Sequence, residues 1–184
     1  MFKPIQIMNT IVINLMAGPG VGKSTLMAQL FARLKILGYE VEMVPEYVKE
    51  KVWDESWKVM EDAIYVFGKQ LHSVNRLYGK VEVIICDSSL LNPAIYDKTE
   101  NPKFADFVVD TFGKFRNMNF FLRRSTSYNV RGREQTEEEA IEVDKKFKTF
   151  LDKWGVSYTE VEKDEAEFVI VTRILEISKN ENRS

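Results

Sequence analysis

An apolar run, Ile11-Val12-Ile13-Asn14-Leu15-Met16, passes directly into Ala17-Gly18-Pro19-Gly20-Val21-Gly22-Lys23-Ser24-Thr25. Leu26, Leu30, Leu34 and Leu37 follow at helical spacing. A buried strand must therefore end in a tight glycine turn that opens a helix, which is the strand–loop–helix context of a phosphate-binding loop. Gly18, Gly20 and Gly22 let the backbone turn so that its N–H groups converge on an anion. With Pro19, Val21 and Thr25 they form the expected nucleotide cradle. Lys23 is expected to reach the β- and γ-phosphates, and the Ser24 hydroxyl to ligate Mg²⁺. A helix over Lys23–Leu37 adds the positive end of its dipole. Ala17 stands where the pattern usually has its first glycine, and small size is what that position chiefly needs.

Strand-like runs alternate with helical patterns along the rest of the chain, which signals βαβ units and an α/β fold with a parallel sheet. Strands are expected near Ile11–Met16, Glu40–Val44, Val81–Cys86, Asn119–Leu122 and Ser157–Val161. Helices are expected near Lys23–Leu37, Glu55–Tyr78, Phe104–Phe115, Thr136–Trp154 and Asp164–Ser178. Asn92-Pro93 with Tyr96 reads as a turn into a short helix. With 184 residues and no convincing linker, the pattern is one domain over 1–179, with a lid segment at about 124–136 and a flexible tail at 180–184.

Sheets of this kind build their sites at the carboxyl ends of the strands. Chemistry-bearing residues stand at those places. Glu46 follows the second strand on a turn fixed by Pro45; there it could take a proton from an acceptor hydroxyl or hold that hydroxyl in line. It could also be a helix-start carboxylate favoured by the dipole. Asp87 follows the third strand in a Walker-B pattern and is expected to hold Mg²⁺, directly or through water, together with Ser24. After the fourth strand, a polar stretch carrying Arg131 and Arg133 suits a lid whose guanidinium groups neutralise a transferring phosphoryl group. Thr136 and Glu139 form a capping box for the next helix. Phe67 and Gln70, one turn apart, could stack on a base and read its edge. Tyr47, Ser88 and Asn129 complete the expected substrate set.

The charge balance, 26 basic against 28 acidic residues for a net charge of −2, argues against a nonspecific nucleic-acid coat. It is uneven: Lys114, Arg116, Arg123, Arg124, Arg131 and Arg133 are the only charges from Thr111 to Arg133. No apolar run reaches the ~20 residues of a membrane span, and the start lacks a signal peptide's apolar region. The single cysteine, Cys86, excludes an internal disulfide and reads as a buried small hydrophobe. These features fit a cytoplasmic protein, in a host cell's cytoplasm if viral.

The phosphate loop, Pro45-Glu46-Tyr47-Val48-Lys49, Phe67-Gly68-Lys69-Gln70, Asp87-Ser88-Ser89, Asn119-Phe120-Phe121-Leu122-Arg123-Arg124 and Gly132-Arg133-Glu134-Gln135-Thr136-Glu137-Glu138-Glu139-Ala140 together resemble a family. It is the group of bacteriophage P-loop proteins, of AAA ATPase type, related to the kinase domain of nicotinamide riboside kinases. More distantly the chain is similar to nucleoside and nucleoside-monophosphate kinases. The resemblance implies a P-loop NTPase three-layer sandwich with a parallel sheet in order 2-3-1-4-5, and ATP and Mg²⁺ as cofactors. It implies catalytic roles for Lys23, Glu46, Asp87, Arg131 and Arg133.

The resemblance to phage kinases of 5-hydroxymethyluracil in DNA makes that hydroxymethyl group the favoured acceptor, as a step in thymidine hypermodification. A base in a duplex would have to be flipped out, with basic residues tracking the backbone. A free nucleoside or nucleoside monophosphate is the alternative acceptor. A P-loop NTPase acting as a switch on a partner is the alternative of another class, although the Asn-Lys-x-Asp motif of GTPases does not occur. A nonenzymatic binding module is a further class, which the intact Lys23, Ser24 and Asp87 argue against. No membrane partner is expected, and the oligomeric state is open.

Overall fold

The computed structural model describes residues 9–53, 57–99, 101–124 and 137–181. Strand β1 (Ile11–Met16) leads into helix α1 (Lys23–Ile36), then β2 (Val41–Val44), α2 (Tyr47–Trp53), α3 (Trp57–Met60) and α4 (Ala63–Asn75). The chain continues as β3 (Val83–Cys86), α5 (Asn92–Tyr96), α6 (Pro102–Phe112), β4 (Arg116–Arg123), α7 (Glu137–Lys153), β5 (Thr159–Glu162) and α8 (Ala166–Glu181). The five strands form one parallel sheet in the order β2-β3-β1-β4-β5. That is the order the resemblance implies.

Alternation along β1 divides the core between the two faces of the sheet. Ile11, Ile13 and Leu15 pack with Leu26, Leu30 and Leu34 of α1 and with Ile170 and Ile174 of α8. Val12 and Met16 face the other way, into a cluster containing Phe67 of α4, Ile95 of α5, Val108 of α6 and Phe147 of α7. Asn14 is the polar exception on this second face, 1% exposed. Its Nδ2 donates to Asn117 Oδ1 and Asn119 Oδ1 of β4, both at 2.9 Å, which satisfies a group that would otherwise be costly to bury.

Several boundaries differ from the sequence expectations for local reasons. The helix expected over Glu55–Tyr78 is interrupted. Asp62 caps α4 by accepting the Tyr65 N–H at 3.0 Å, so the chain restarts there instead of running through. The helix at Tyr47–Trp53 is an addition to the expected set. Asn101 accepts the Lys103 N–H and Pro102 takes the first turn of α6, which starts that helix before Phe104. β4 begins at Arg116, ahead of the expected Asn119, because Asn117 and Met118 continue the pairing with β1. Asn180 and Glu181, expected in a flexible tail, belong to α8, and the Glu181 carboxylate pairs with Arg116 at 2.6 Å. Most of the lid, with Asn129, Arg131 and Arg133, lies outside the described residues, as does Thr136 of the expected capping box.

Leu30 joins α1 to the sheet and is fully buried. Leu30→Ala is expected to lower unfolding free energy by about 2–5 kcal/mol, read from the urea midpoint at unchanged slope.

Candidate active site

The carboxyl ends of β1, β2 and β3 deliver the phosphate loop, Glu46 and Asp87 to one edge of the sheet. The pairing is close enough to align them: Asn14 and Val44 each stand opposite Cys86, one residue before Asp87.

Gly22 adopts φ +99°, a left-handed conformation that L side chains rarely hold, immediately before α1 begins. The loop can therefore turn its last N–H groups inward before the helix starts. The Lys23 ammonium donates to the Ala17 and Gly18 carbonyls, both at 2.8 Å, and so ties the two ends of the loop together. Burial pushes this ammonium below its ordinary pKa, against the opposing pull of Glu46, Asp87 and Asp144. An anion in the loop would relieve that penalty.

Ser24 donates its hydroxyl proton to Asp87 Oδ2 at 2.7 Å. The other carboxylate oxygen, Asp87 Oδ1, is buried with no hydrogen-bond partner among the described residues. An orphaned anionic oxygen beside a hydroxyl is a hard-oxygen environment that suits Mg²⁺. Among the described residues no group of three or more His, Cys, Asp or Glu is placed to hold a metal. Mg²⁺ does not need one, because it keeps waters and takes phosphate oxygens. The residues present therefore fit it. Lys49 also reaches this point, donating to Ser24 Oγ at 3.2 Å.

Glu46 sits beside these groups. Burial raises its pKa and Asp87 adds to the effect, while Lys23 and Lys49 oppose it. It also lines a cavity of about 520 Å³ with Pro19, Tyr47, Gln70, Ser88 and Tyr96. Of the residues expected to bind an acceptor, Glu46, Tyr47, Gln70 and Ser88 are thus brought together.

Phe67 is not among them. It is 3% exposed and meets Phe104 and Phe107 edge-on, with ring centroids 6.0 and 5.7 Å away. Its ring is spent on the core, so the expected stacking role is corrected. Gln70 lines the cavity with its amide already engaged. Its Oε1 accepts the Tyr47 N–H at 3.2 Å, and its Nε2 donates to the Ser88 carbonyl at 3.2 Å. It ties the end of β2 to the end of β3. Within the loop Val21 is 5% exposed and belongs to the core, whereas Thr25 is exposed.

Two charged residues outside the expected site grip the loop. Asp144 of α7 accepts the Gly18 N–H at 2.5 Å through one oxygen and the Arg124 Nε–H at 2.5 Å through the other. Arg124 also donates to the Pro19 carbonyl at 2.9 Å and the Ala140 carbonyl at 3.1 Å. The strand-end position of Arg124 is the sequence signal that points to it. Asp144 stands in a run of acids that reads as a solvated helix face. A Cβ at Gly18 would come within 2.8 Å of Arg124 Nη2 and 2.9 Å of the Ala140 carbonyl. Gly18→Ala is expected to push α7 from the loop, costing about 1–3 kcal/mol of stability and weakening nucleotide binding. Urea unfolding and titration with labelled ATP check both.

No curated protein sequence matches the chain significantly. Solved structures do resemble it. NadR protein in complex with NR superposes with a TM-score of 0.62 at 16% identity, over 83% of this chain and 45% of that one. The chain thus spans under half the length of NadR. Deoxyadenosine kinase from M. mycoides with bound dATP gives 0.54 at 20% identity, over 90% of this chain and 99% of that one. YorR from Bacillus subtilis, in complex with phosphorylated GDP, gives 0.56 at 18%, over 94% and 98%. At these identities the likeness establishes the shared fold. The AAA domain family matches residues 12–167, which takes in the phosphate loop, Glu46, Asp87 and the Arg124–Asp144 clamp, and the chain belongs to that family.

Proposed function

We propose that the protein is an ATP- and Mg²⁺-dependent phosphotransferase acting on a hydroxyl of a nucleoside-like acceptor. One observation carries this reading: Glu46 lines one cavity together with Pro19 of the phosphate loop and Ser88, the residue after Asp87. A carboxylate shared by a cavity and a phosphate site suits attack by a hydroxyl on a γ-phosphorus.

In this reading the loop backbone and Lys23 hold the phosphates, and Ser24 and Asp87 hold the metal. Mg²⁺ held by Ser24 and Asp87 would supply positive charge against the phosphates. Glu46 accepts the acceptor's hydroxyl proton as the oxygen bonds to the γ-phosphorus and the bond to the β–γ bridging oxygen breaks. Its raised pKa suits a general base better than an ordinary surface carboxylate would. Arg131 and Arg133 would contribute charge to the transferring group.

A free nucleoside is the better supported acceptor. Glu46, Glu61 and Asp97 line the cavity against Lys49 and Lys98, and Lys98 is paired with Glu61 at 3.2 Å. Such a lining suits a neutral or cationic group more than a phosphorylated one. The basic run that could track DNA is also largely committed within the chain. Lys114 pairs with Asp110, Arg116 with Glu181, Arg123 with Glu160 and Glu162, and Arg124 with Asp144. The NR bound by NadR supports a small ligand over a DNA duplex. The hydroxymethyluracil reading rests on the phage resemblance.

Label transfer from γ-labelled ATP with Mg²⁺ tests the choice. The acceptors are free nucleosides, nucleoside monophosphates, nicotinamide riboside, ordinary DNA and DNA containing 5-hydroxymethyluracil. Label on a nucleoside is expected. Label on the modified DNA alone would make the protein a DNA base kinase, and phosphate release without a labelled acceptor would make it an NTPase switch. Lys23→Ala is expected to abolish transfer.

Glu46→Gln should spare ATP binding and cut turnover by about 10²–10⁴-fold. Wild-type turnover should fall with acidity at a pH above the usual carboxylate range, and the variant should lack that limb. Stability moves the other way. A carboxyl whose folded pKa is raised favours the neutral form, so its contribution is present at low pH and lost as pH rises through the folded value. Glu46→Gln should therefore melt higher than the unaltered protein at pH 7. An unchanged turnover would remove Glu46 from catalysis.

A further inference from the structure

Among the described residues, the two buried side-chain oxygens without a hydrogen-bond partner lie on one short stretch. They are Asp87 Oδ1 and Asn92 Oδ1. Mg²⁺ at the phosphate loop would account for the first. Asn92 opens α5, is 7% exposed, and lines the same cavity as Glu46, Ser88, Pro93 and Tyr96. A buried amide carbonyl with no donor is unfavourable by itself, and an apolar side chain of similar size would avoid the cost. Gln70, which sequence spacing offers as one candidate for reading a base, has its oxygen and nitrogen engaged by Tyr47 and Ser88. Of the two buried amides that line the cavity, Asn92 is therefore the one whose oxygen has no partner among the described residues.

We propose that Asn92 determines acceptor specificity by taking, on its Oδ1, a hydrogen bond from an N–H or O–H of the bound nucleoside. This rests on the nucleoside-acceptor reading above. A carbonyl oxygen only accepts, so the ligand group must be a donor: an exocyclic amine or ring N–H of a base, or a sugar hydroxyl that is not the one phosphorylated. The carboxylates of Glu46, Glu61 and Asp97 around the cavity are acceptors too. Asp97 already accepts from Thr99 and Asn101, and Glu61 from Lys98, so a ligand edge made of carbonyls would still leave Asn92 unpaired.

The test combines a change in the protein with a change in the ligand. Phosphate transfer to deoxyadenosine, deoxycytidine and nicotinamide riboside is measured for the unaltered protein, Asn92→Leu and Asn92→Ala. The best acceptor is then replaced by analogues lacking either one base donor or one sugar hydroxyl. Both variants should fold and keep the KM for ATP within about twofold, while kcat/KM for the best acceptor falls about tenfold or more, the range of one lost uncharged hydrogen bond. One analogue should lose as much with the unaltered protein and nothing further with Asn92→Leu. Whether it is the base or the sugar analogue identifies the donor. Equal losses for every acceptor and for ATP would mark Asn92 as structural, as would failure of both variants to fold, and either would overturn the proposal. If the unaltered protein labels none of these nucleosides, the acceptor class fails first and the proposal with it.

Discussion

The site depends on keeping charge buried at the edge of the sheet. Lys23, Glu46 and Asp87 come from three different strand ends, and each shifts the ionisation of its neighbours. Burial works against the charged form of both Lys23 and Glu46, and the electrostatics between them only partly offsets it. A fold that holds such a cluster in place before any ligand arrives does so through the rigidity of its parallel sheet. β1, fully buried and paired on both sides, supplies that rigidity. The penalty on Lys23 is what an anion in the loop would relieve.

The Arg124–Asp144 pair extends the same logic to the loop's outer edge. Both side chains are mostly buried, at 14% and 16% exposure. A buried ion pair is weak evidence for added stability, because desolvation consumes much of the attraction. This pair has more to do than attract. Asp144 also holds the Gly18 N–H, and Arg124 also holds the Pro19 and Ala140 carbonyls. Backbone groups of both the loop and α7 are thus satisfied by one guanidinium and one carboxylate. The gain is positional: the turn before Gly20 is fixed relative to α7.

The strand-end chemistry is legible in the sequence because strand, glycine turn and helix follow one another without interruption. Lys23, Ser24, Glu46 and Asp87 can each be placed from their strand alone, and the sheet order follows from the resemblance. Phe67 misleads because an aromatic one turn from a polar residue reads alike in a core and at a ligand, and only packing against Phe104 and Phe107 separates the two. Gln70 stands out for one reason and holds its place for another, since its amide bridges two loops that are far apart in sequence. Asp144 is hidden among Glu138, Glu139 and Glu142. Nothing in helical spacing distinguishes the acid that turns inward from those that face water. The break at Asp62 escapes notice because an Asx cap inside an amphipathic run changes the backbone without changing the periodicity.

The described part of the basic run, Lys114 to Arg124, shows that a cluster of like charges in sequence need not form one basic surface. Along β4, Arg116 and Arg123 stand at opposite ends of one strand, so their charges are not adjacent in space. Each meets a carboxylate from a different element: Glu181 of α8 for Arg116, Glu160 and Glu162 of β5 for Arg123. Exposed pairs of this kind contribute little to stability, but each sets a negative charge beside a positive one, which weakens the local attraction for a polyanion. A phosphate backbone would have to displace these carboxylates to gain its contacts. On the proposed reading, an uncharged nucleoside in the cavity beside Glu46 would displace none of them.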